Sequence, residues 1–385
     1  MRVLISIPCY WPAVAYGGPV QKTRGLVAGL AGLGVESTVL TSNLLDLSRR
    51  LSHGTVRRTV DGLEVVYLHA LVRYRWNPIC PSALSWARRL TRSHDMVHVM
   101  GYRDTIGLAA AYAARRADVP IVFEPLGMLE RSGRSATLKQ IFDASLGWHL
   151  VEWAESVIAT SSLEAESLAR AGVPARKLVV RPNGVSSAKA SRRGLFRRTL
   201  GIKPKELLVL CLGRISRQKG LPYVAAAVAR VPGAHLVIAG ADDADGGRED
   251  VLSAARFSGL TGRLHLPGVL DETEKSRALS DADALVLASS GESFGNAAAE
   301  GVAAGVPVLV TDRCGVAEFI ERAALVVPYE PDAIAKGVRT VLTDESVRTR
   351  ILASGRAVTE SLGWDRVAAR QVEIYRSAAE GRNGA

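Results

Sequence analysis

One segment in the C-terminal half constrains the fold more than any other, because its pattern predicts strand, loop, helix and strand in succession. Residues 283–312 open with a short apolar run, Ala284 to Ala288, and a second run from Gly305 to Val310 follows an alanine-rich stretch. Short apolar runs of this kind are typical of strands buried on both faces of a parallel sheet. The same alternation continues along most of the chain, which predicts an α/β protein with doubly wound parallel sheets.

Two carboxylates flank the predicted helix of this segment. Glu292 lies in the loop. If the helix starts near Gly295, Glu300 lies about one and a half turns into the helix. A helix N-terminus presents unpaired N–H groups and favours an anion, phosphate above all. At about 1.5 Å per residue, the carboxylates should stand on the order of 10 Å apart, close to the span of a nucleotide sugar. Taken alone, two such glutamates are more often a loop carboxylate and a solvated helix residue.

Two further loops carry groups suited to a diphosphate. Residues 213–220 follow a buried strand and contain Arg214 and Lys219, a guanidinium fork and an ammonium group that bind phosphate oxygens. Near the N-terminus, Gly17 and Gly18 separate an apolar strand from a predicted helix, and glycine lets backbone N–H groups approach an anion. Each loop alone could be an ordinary surface loop or tight turn.

Taken together, these segments resemble the retaining glycosyltransferases of the GT-B fold, glycosyltransferase family 4 (glycosyl transferases group 1). The resemblance implies two facing Rossmann-like domains with an inter-domain cleft, into which the strand carboxyl ends direct all three loops. It places an acceptor-binding domain at residues 1–185 and a nucleotide-sugar-binding domain at residues 186–363. A terminal helix over residues 364–385 is expected to pack back on the first domain.

The resemblance also implies roles for individual residues. The first glutamate of the family pair, here Glu292, faces the donor sugar, and the second, Glu300, faces the ribose. The departing diphosphate would be stabilised by Arg214, Lys219, the helix near Asn296 and the amides of the glycine pair. The implied donor-binding residues are Gly17, Gly18, Arg214, Lys219, Glu292, Ser293, Phe294, Gly295, Asn296 and Glu300.

The chain departs from the family at one position. Many members have His or Arg in a Pro-x-Gly-Met-Leu motif, where this chain has Leu126. Glu124, two residues earlier, is the nearest replacement in the sequence. It therefore joins Glu292, Arg214 and Lys219 as a candidate catalytic residue. His98, on a neighbouring predicted strand, is interpreted as a packed core histidine more readily than as a catalyst.

We expect no cofactor and no metal requirement, with a nucleoside diphosphate sugar as donor substrate. Asp281 and Asp283 precede a strand, at the wrong end of the sheet to hold a metal beside the other loops. The four cysteines are scattered without the spacing of a zinc site or a disulfide framework, so we interpret them as reduced thiols without a catalytic role.

Charge and hydropathy bear on partners and location. The net charge of +11 is uneven: residues 1–185 hold 22 basic against 14 acidic residues, a balance of +8, which leaves +3 for the rest. The arginines occur as scattered pairs without a nucleic-acid-binding motif, so nucleic acid is not expected as a partner. An anionic acceptor or an anionic membrane surface would fit this charge, as would an ordinary solvated surface. No run of 18 apolar residues is present, and we expect a cytoplasmic protein, free or peripheral on the inner membrane face.

Four local features complete the sequence-based expectations. Residues 55–70 should form a hairpin that turns at Asp61-Gly62, and residues 137–153 should form a long helix. Residues 73–76 form a basic and aromatic loop, suited to an anionic acceptor or a membrane interface but equally to covering the core. Residues 186–196 are polar and basic, which favours a linker.

The leading hypothesis is a metal-independent hexosyltransferase-type glycosyltransferase (EC 2.4) that acts with retention. Its acceptor would be a glycan, a lipid-linked molecule or a small molecule. The alternatives are a nucleotide-sugar epimerase or phosphorylase of the same fold, and a catalytically silent homologue that docks on membranes.

Overall fold

The computed structural model describes residues 1–46, 48–74, 77–129, 147–186 and 191–383. The chain forms two compact units. One contains Met1–Gly184 together with Trp364–Ala385, and the other contains Val185–Gly363. Each unit has its own sheet and its own buried core.

The N-terminal unit is built on an eight-stranded sheet in the order β10-β9-β8-β7-β1-β2-β4-β3, parallel except for β3. The central strands β1, β7 and β8 are mostly apolar and are buried along almost their whole length, as parallel strands covered by helices should be. The hairpin predicted at Asp61-Gly62 is confirmed: both residues have positive φ, and β3 pairs antiparallel with β4. The strands are β1 Arg2–Ser6, β2 Glu36–Ser42, β3 Val56–Val60, β4 Leu63–Leu68, β7 Met96–Met100, β8 Ile121–Glu124, β9 Ser156–Ala159 and β10 Leu178–Val180, with a separate hairpin of β5 Val72–Tyr74 and β6 Asn77–Ile79.

The described helices of this unit are α1 Gly18–Gly32, α2 Ala83–Thr91, α3 Thr105–Arg116, α4 Trp148–Trp153, α5 Ser162–Arg170 and α14 Trp364–Asn383. The last of them packs on α1, and its first residue, Trp364, fills a socket made by glycines. A Cβ on Gly25 or Gly184 would collide with the indole ring, and one on Gly29 would lie 2.6 Å from the Trp364 carbonyl oxygen. The side chains of Ala368, Val372 and Tyr375 extend the same contact into the core.

The C-terminal unit contains a six-stranded, fully parallel sheet in the order β13-β12-β11-β14-β15-β16. The strands are β11 Leu207–Leu212, β12 Ala234–Ala239, β13 Leu264–Gly268, β14 Ala284–Leu287, β15 Val308–Thr311 and β16 Ala324–Val327. The helices are α6 Leu195–Thr199, α7 Leu221–Ala229, α8 Gly247–Phe257, α9 Glu272–Asp281, α10 Asn296–Ala303, α11 Ala317–Ile320, α12 Pro331–Thr343 and α13 Glu345–Ser361. The doubly wound parallel architecture expected from the sequence is present in both units.

One expectation is wrong at its C-terminal end. The predicted linker includes Phe196, but the structure places that residue in α6, with its ring in the core. The cause is Asp281, which is fully buried and accepts the backbone N–H groups of Gly194, Phe196 and Arg197 at the start of α6. A carboxylate that lies 85 residues away in the sequence therefore orders a segment that local composition marks as irregular.

Parts of three local predictions lie outside the described residues. These are residues 137–146 of the predicted long helix, Arg75 and Trp76 of the basic aromatic loop, and residues 187–190 of the predicted linker. Among the residues that are described, no helix is both long and apolar enough to cross a membrane.

Candidate functional site

The loop between β14 and α10 holds the first candidate carboxylate. α10 starts at Asn296, and Gly295 precedes it with φ 112°, so Glu292 lies in the loop as the sequence predicts. Only glycine fits at position 295, because a Cβ would lie 2.8 Å from Leu287 and 3.0 Å from Val316. Phe294 is buried against Phe319, with ring centroids 5.9 Å apart. This packing fixes the start of the helix at the carboxyl end of the sheet.

The backbone of Glu292 is held from both sides. Its N–H donates to the Arg313 carbonyl at 3.0 Å, and its carbonyl accepts from Gly315 N–H at 2.9 Å. The side chain is then free to face the neighbouring loop, where its Oε2 atom accepts from Lys219 Nζ. The Glu292 side chain is 26% exposed and that of Lys219 is 17% exposed, so the ion pair is partly screened from water.

The basic loop after β11 is pressed against the end of β14. Gly213 and Gly220 bound it, and Gly220 caps α7 with φ 59°. A Cβ on Gly220 would collide with the Ala288 carbonyl oxygen, so glycine is required for this close approach. Ser290 N–H also donates to the Gln218 carbonyl at 2.8 Å. The contact between the two loops explains why Lys219 and Glu292 meet.

Arg214 lies in the same loop but points elsewhere. Its Nη1 atom donates to Asp243 Oδ1 at 2.6 Å, and its side chain is 59% exposed. Asp243 belongs to an acidic loop after β12, and Asp245 of that loop accepts the Arg217 backbone N–H at 3.0 Å. Sequence reasoning missed these aspartates. The signal was present, since three aspartates follow the carboxyl end of a predicted strand at positions 242, 243 and 245.

Glu300 has a cation partner of its own. It lies on α10, and its Oε1 atom is 3.3 Å from Lys275 Nζ on α9, which also pairs with Glu272. Burial raises the pKa of the Glu300 carboxyl, and the Lys275 ammonium opposes that shift. The two glutamates therefore differ in setting: Glu292 faces the basic loop, whereas Glu300 faces the neighbouring helix. Lys275 is a second residue that the sequence analysis missed.

The glycine pair of the N-terminal unit forms the start of α1. Gly17 is the N-cap with φ 70° and ψ −136°, and Gly18 is the first helical residue. No atom lies within 4 Å of the position that a Cβ on Gly17 would take, so conformation rather than space requires glycine there. The Gly17 N–H already donates to the Val14 carbonyl at 3.0 Å, so of the pair it is Gly18 that brings its N–H to the helix start, where an anion is favoured.

Comparisons with known proteins fit these features. Residues 193–358 match the family described as Glycosyl transferases group 1, and residues 17–184 match the Glycosyl transferase 4-like domain. The chain belongs to the GT-B glycosyltransferases of family 4.

Two curated relatives and one solved structure illustrate the similarity. An uncharacterized glycosyltransferase of Methanocaldococcus jannaschii is 27% identical over 96% of this chain and 97% of its own length. Glycogen synthase of Mycobacterium tuberculosis is 29% identical over 99% of this chain and 96% of its own length. HepE of Anabaena, solved in complex with UDP and glucose, has a TM-score of 0.73 at 17% identity and covers 98% of this chain and 100% of that one.

In this glycosyltransferase the candidate catalyst Glu124 is not exposed. It is the last residue of β8, with no accessible surface, and its two oxygens pair with Lys22 and Arg181. Leu126 follows with φ 54°, an unfavourable conformation for a branched side chain, and packs against the core. His98 is also fully buried, as expected for a core histidine.

The aspartates weighed as metal ligands have structural partners in the glycosyltransferase. Asp281 binds the start of α6, and Asp283 pairs with Arg193 at 2.8 Å and with Arg197 at 2.5 Å. Within the described ranges, no group of three or more His, Cys, Asp or Glu side chains is arranged to hold a metal ion. The cysteines at positions 9, 80, 211 and 314 are buried and free.

Proposed function

We propose that this glycosyltransferase transfers a sugar from a nucleoside diphosphate sugar to an acceptor, with retention of anomeric configuration. The observation that carries the proposal is the ion pair between Lys219 and Glu292 at the strand ends beside the start of α10. A lysine for the phosphate and a carboxylate for the sugar are needed next to each other, because the bond that breaks joins those two parts of the donor.

The donor diphosphate would bind at the basic loop. Arg214 is more than half exposed, so its guanidinium can turn from Asp243 to phosphate oxygens. The N-terminus of α10 adds backbone N–H groups. HepE was solved with UDP and glucose, and we extend that donor chemistry to this chain.

Charge stabilisation would drive the reaction. The diphosphate gains negative charge as the sugar leaves, and cations that lie beside it once the donor is bound stabilise that charge. Arg214 and Lys219 provide this charge, so we propose that no metal ion is required. Departure and attack on the same face of the sugar would give retention. Glu292 would contact the sugar while its anomeric carbon becomes positive, and Glu300 would bind the ribose hydroxyls.

The acceptor is proposed to be anionic or lipid-linked and to be bound by the N-terminal unit. Two neighbouring helices of that unit end in exposed arginine pairs, Arg88-Arg89 on α2 and Arg115-Arg116 on α3. Tyr112 lies between them, with the Arg88 guanidinium 6.0 Å from its ring. Such a cationic and aromatic face suits an anionic membrane surface, where each arginine gains about 1 kcal/mol.

A donor screen tests the transfer proposal. Purified protein would be incubated with UDP-, GDP-, TDP- and ADP-sugars, and release of the nucleoside diphosphate would be followed. Transfer predicts slow hydrolysis of one donor that is abolished in Lys219→Ala and unchanged in Arg256→Gln, an exposed arginine on α8. An epimerase would convert the donor sugar without releasing the diphosphate, and a phosphorylase would require free phosphate. Absence of any reaction would favour a silent homologue.

A further inference from the structure

The two cations assigned to the donor diphosphate are each paired with a carboxylate of the C-terminal unit. Lys219 pairs with Glu292, and Arg214 Nη1 donates to Asp243 Oδ1 at 2.6 Å. Glu292 has a further role in the proposed reaction, because it would contact the sugar. Asp243 has no such role, so its contribution lies in the ion pair with Arg214.

The acidic loop after β12, residues 240–246, is held against the basic loop by its backbone. Asp243 N–H donates to the Ile215 carbonyl at 3.1 Å. A Cβ on Gly240 would collide with the Gly213 carbonyl oxygen, so glycine is required where the two loops meet. Asp243 is therefore anchored to the basic loop through its backbone, whatever its carboxylate contacts.

The Arg214 side chain depends on its carboxylate partner. Of the described residues, Asp243 alone accepts a hydrogen bond from it. The Arg214 side chain is 59% exposed, whereas that of Asp243 is 26% exposed. The guanidinium can therefore turn to another anion, while the carboxylate stays with its loop.

A diphosphate and Asp243 present the same chemistry to Arg214. Both offer anionic oxygens, and the planar fork of a guanidinium binds carboxylates and phosphates alike. A donor that binds at the basic loop must then break or share the ion pair. When the diphosphate product leaves, the carboxylate is in place to take the guanidinium back.

We propose that Asp243 is a counter-ion that holds Arg214 while the phosphate site is empty, competes with the diphosphate for it, and so speeds release of the diphosphate product. This inference rests on the proposed function, and it adds a residue that weakens diphosphate binding to those that strengthen it. Asp243 is a positioning residue, because it acts through Arg214 and does not touch the substrate.

The test measures binding of inorganic pyrophosphate, which carries neither base nor sugar, by calorimetry. Asp243→Asn removes the charge and keeps the shape, and Asp243→Glu keeps the carboxylate. Asp250→Asn is the matched control: it removes an equal charge from the start of α8, where Asp250 pairs with Arg217 at 2.8 Å. Asp243→Asn is also made in an Arg214→Ala background.

We expect Asp243→Asn to bind pyrophosphate about twofold to fivefold more tightly than the wild type, since competition from an exposed ion pair is of that size. Product inhibition by the nucleoside diphosphate released in the donor screen should strengthen by the same factor. Asp243→Glu and Asp250→Asn should match the wild type. In the Arg214→Ala background, Asp243→Asn should have no effect, because the residue through which it acts is gone.

Three results would overturn the inference. Unchanged or weaker binding in Asp243→Asn would show that the carboxylate does not compete with the diphosphate. Equal tightening in Asp250→Asn would show an effect of net charge. Equal tightening in the Arg214→Ala background would show that Asp243 acts on the ligand directly.

Failure of the proposed function has a different signature. If pyrophosphate bound as expected in every variant but no donor were turned over, sugar transfer would fail while the counter-ion role stood. If Arg214→Ala bound pyrophosphate as tightly as the wild type, or if pyrophosphate bound neither the wild type nor Asp243→Asn, the phosphate assignment would fail and the counter-ion role with it.

Discussion

Lys219 and Glu292 form an ion pair between two loops that are 73 residues apart in the sequence. The pair places a cation suited to phosphate directly against a carboxylate suited to a sugar hydroxyl. A donor that binds here has to share or displace this contact. Substitution of either residue should therefore change the electrostatic environment of the other. The first two predictions follow from this arrangement.

Removal of either cation should slow transfer. Arg214→Ala and Lys219→Ala should each cost on the order of 2–4 kcal/mol of transition-state stabilisation, since each would remove a positive charge from beside the departing diphosphate. Arg217→Ala is the control, because Arg217 lies in the same loop but pairs with Asp250 at 2.8 Å. Turnover is measured with the screened donor, and circular dichroism checks folding. Wild-type rates in both alanine variants would remove the phosphate assignment.

Glu292→Gln and Glu300→Gln should fail in different ways. Glu292 faces Lys219 and, in the proposed function, would contact the reacting part of the donor, so its loss should lower kcat more than it weakens donor binding. Glu300 pairs with Lys275 on the neighbouring helix and should act mainly through binding, which raises KM. Kinetics and calorimetric donor affinities distinguish the two. If neither variant differed from the wild type, the transfer proposal would lose its main support.

Activity should survive a strong chelator. In the proposed function Arg214 and Lys219 would supply the positive charge that a metal ion would otherwise provide at the diphosphate, so EDTA should leave the rate unchanged. The assay is run before and after addition of magnesium or manganese. Activity that disappears with EDTA and returns with either ion would contradict metal independence.

The arginine pairs on α2 and α3 should bind the protein to anionic vesicles. Liposome sedimentation at low and high salt is the measurement, and screening by salt should weaken recovery. Arg88→Gln/Arg89→Gln should release the protein, whereas Arg256→Gln/Arg322→Gln, an equal change of charge at exposed positions of the other unit, should not. Equal recovery with neutral and anionic vesicles would leave the basic charge unexplained.

Asp104 should make stability depend on pH. It caps α3 from a buried position, with Oδ1 accepting the N–H groups of Ile106 and Gly107 at 3.0 and 2.7 Å. Burial raises its pKa from 3.8 to about 6. The folded state therefore binds the proton more tightly than the unfolded state, and the contribution of Asp104 to stability falls as pH rises between these values.

Asp104→Asn keeps an acceptor for the helix but cannot ionise. The unfolding free energy of the wild type relative to this variant should fall by up to about 3 kcal/mol as the pH rises from below the unfolded pKa through the folded pKa, and should level off only above the folded pKa. Urea titrations across that range measure the difference. Parallel pH curves for the two proteins would show that the buried carboxyl is not the source.

The local sequence pattern was sufficient to predict the strands and loops, but it could not predict which distant residues their side chains contact. The runs that became β14 and β15 were evident, since buried parallel strands are continuous apolar segments, and Gly295 marked the start of α10. The pairing of Lys219 with Glu292, and of Asp281 with the start of α6, depends on the order of strands in the sheet. That order brings together residues that no sequence window contains.

The same limit applies to Glu124. Its position before the Pro-x-Gly-Met-Leu motif suggested a substitute for the missing polar side chain, because charged residues at strand ends often face ligands. Its burial depends on Lys22 and Arg181, which reach it from elements 102 and 57 residues away. Sequence showed that a charged group was present but could not show which cations surrounded it.

The glycine socket of Trp364 has a consequence for the order of folding. The N-terminal unit needs residues 364–383 to cover α1, yet ribosomes synthesise these residues only after the whole of Val185–Gly363. The C-terminal unit is continuous in sequence and can complete its core first. Until residues 364–383 have been synthesised, α1 of the N-terminal unit remains uncovered. Pulse proteolysis of stalled nascent chains should therefore find the second unit resistant to cleavage while the first remains open to it.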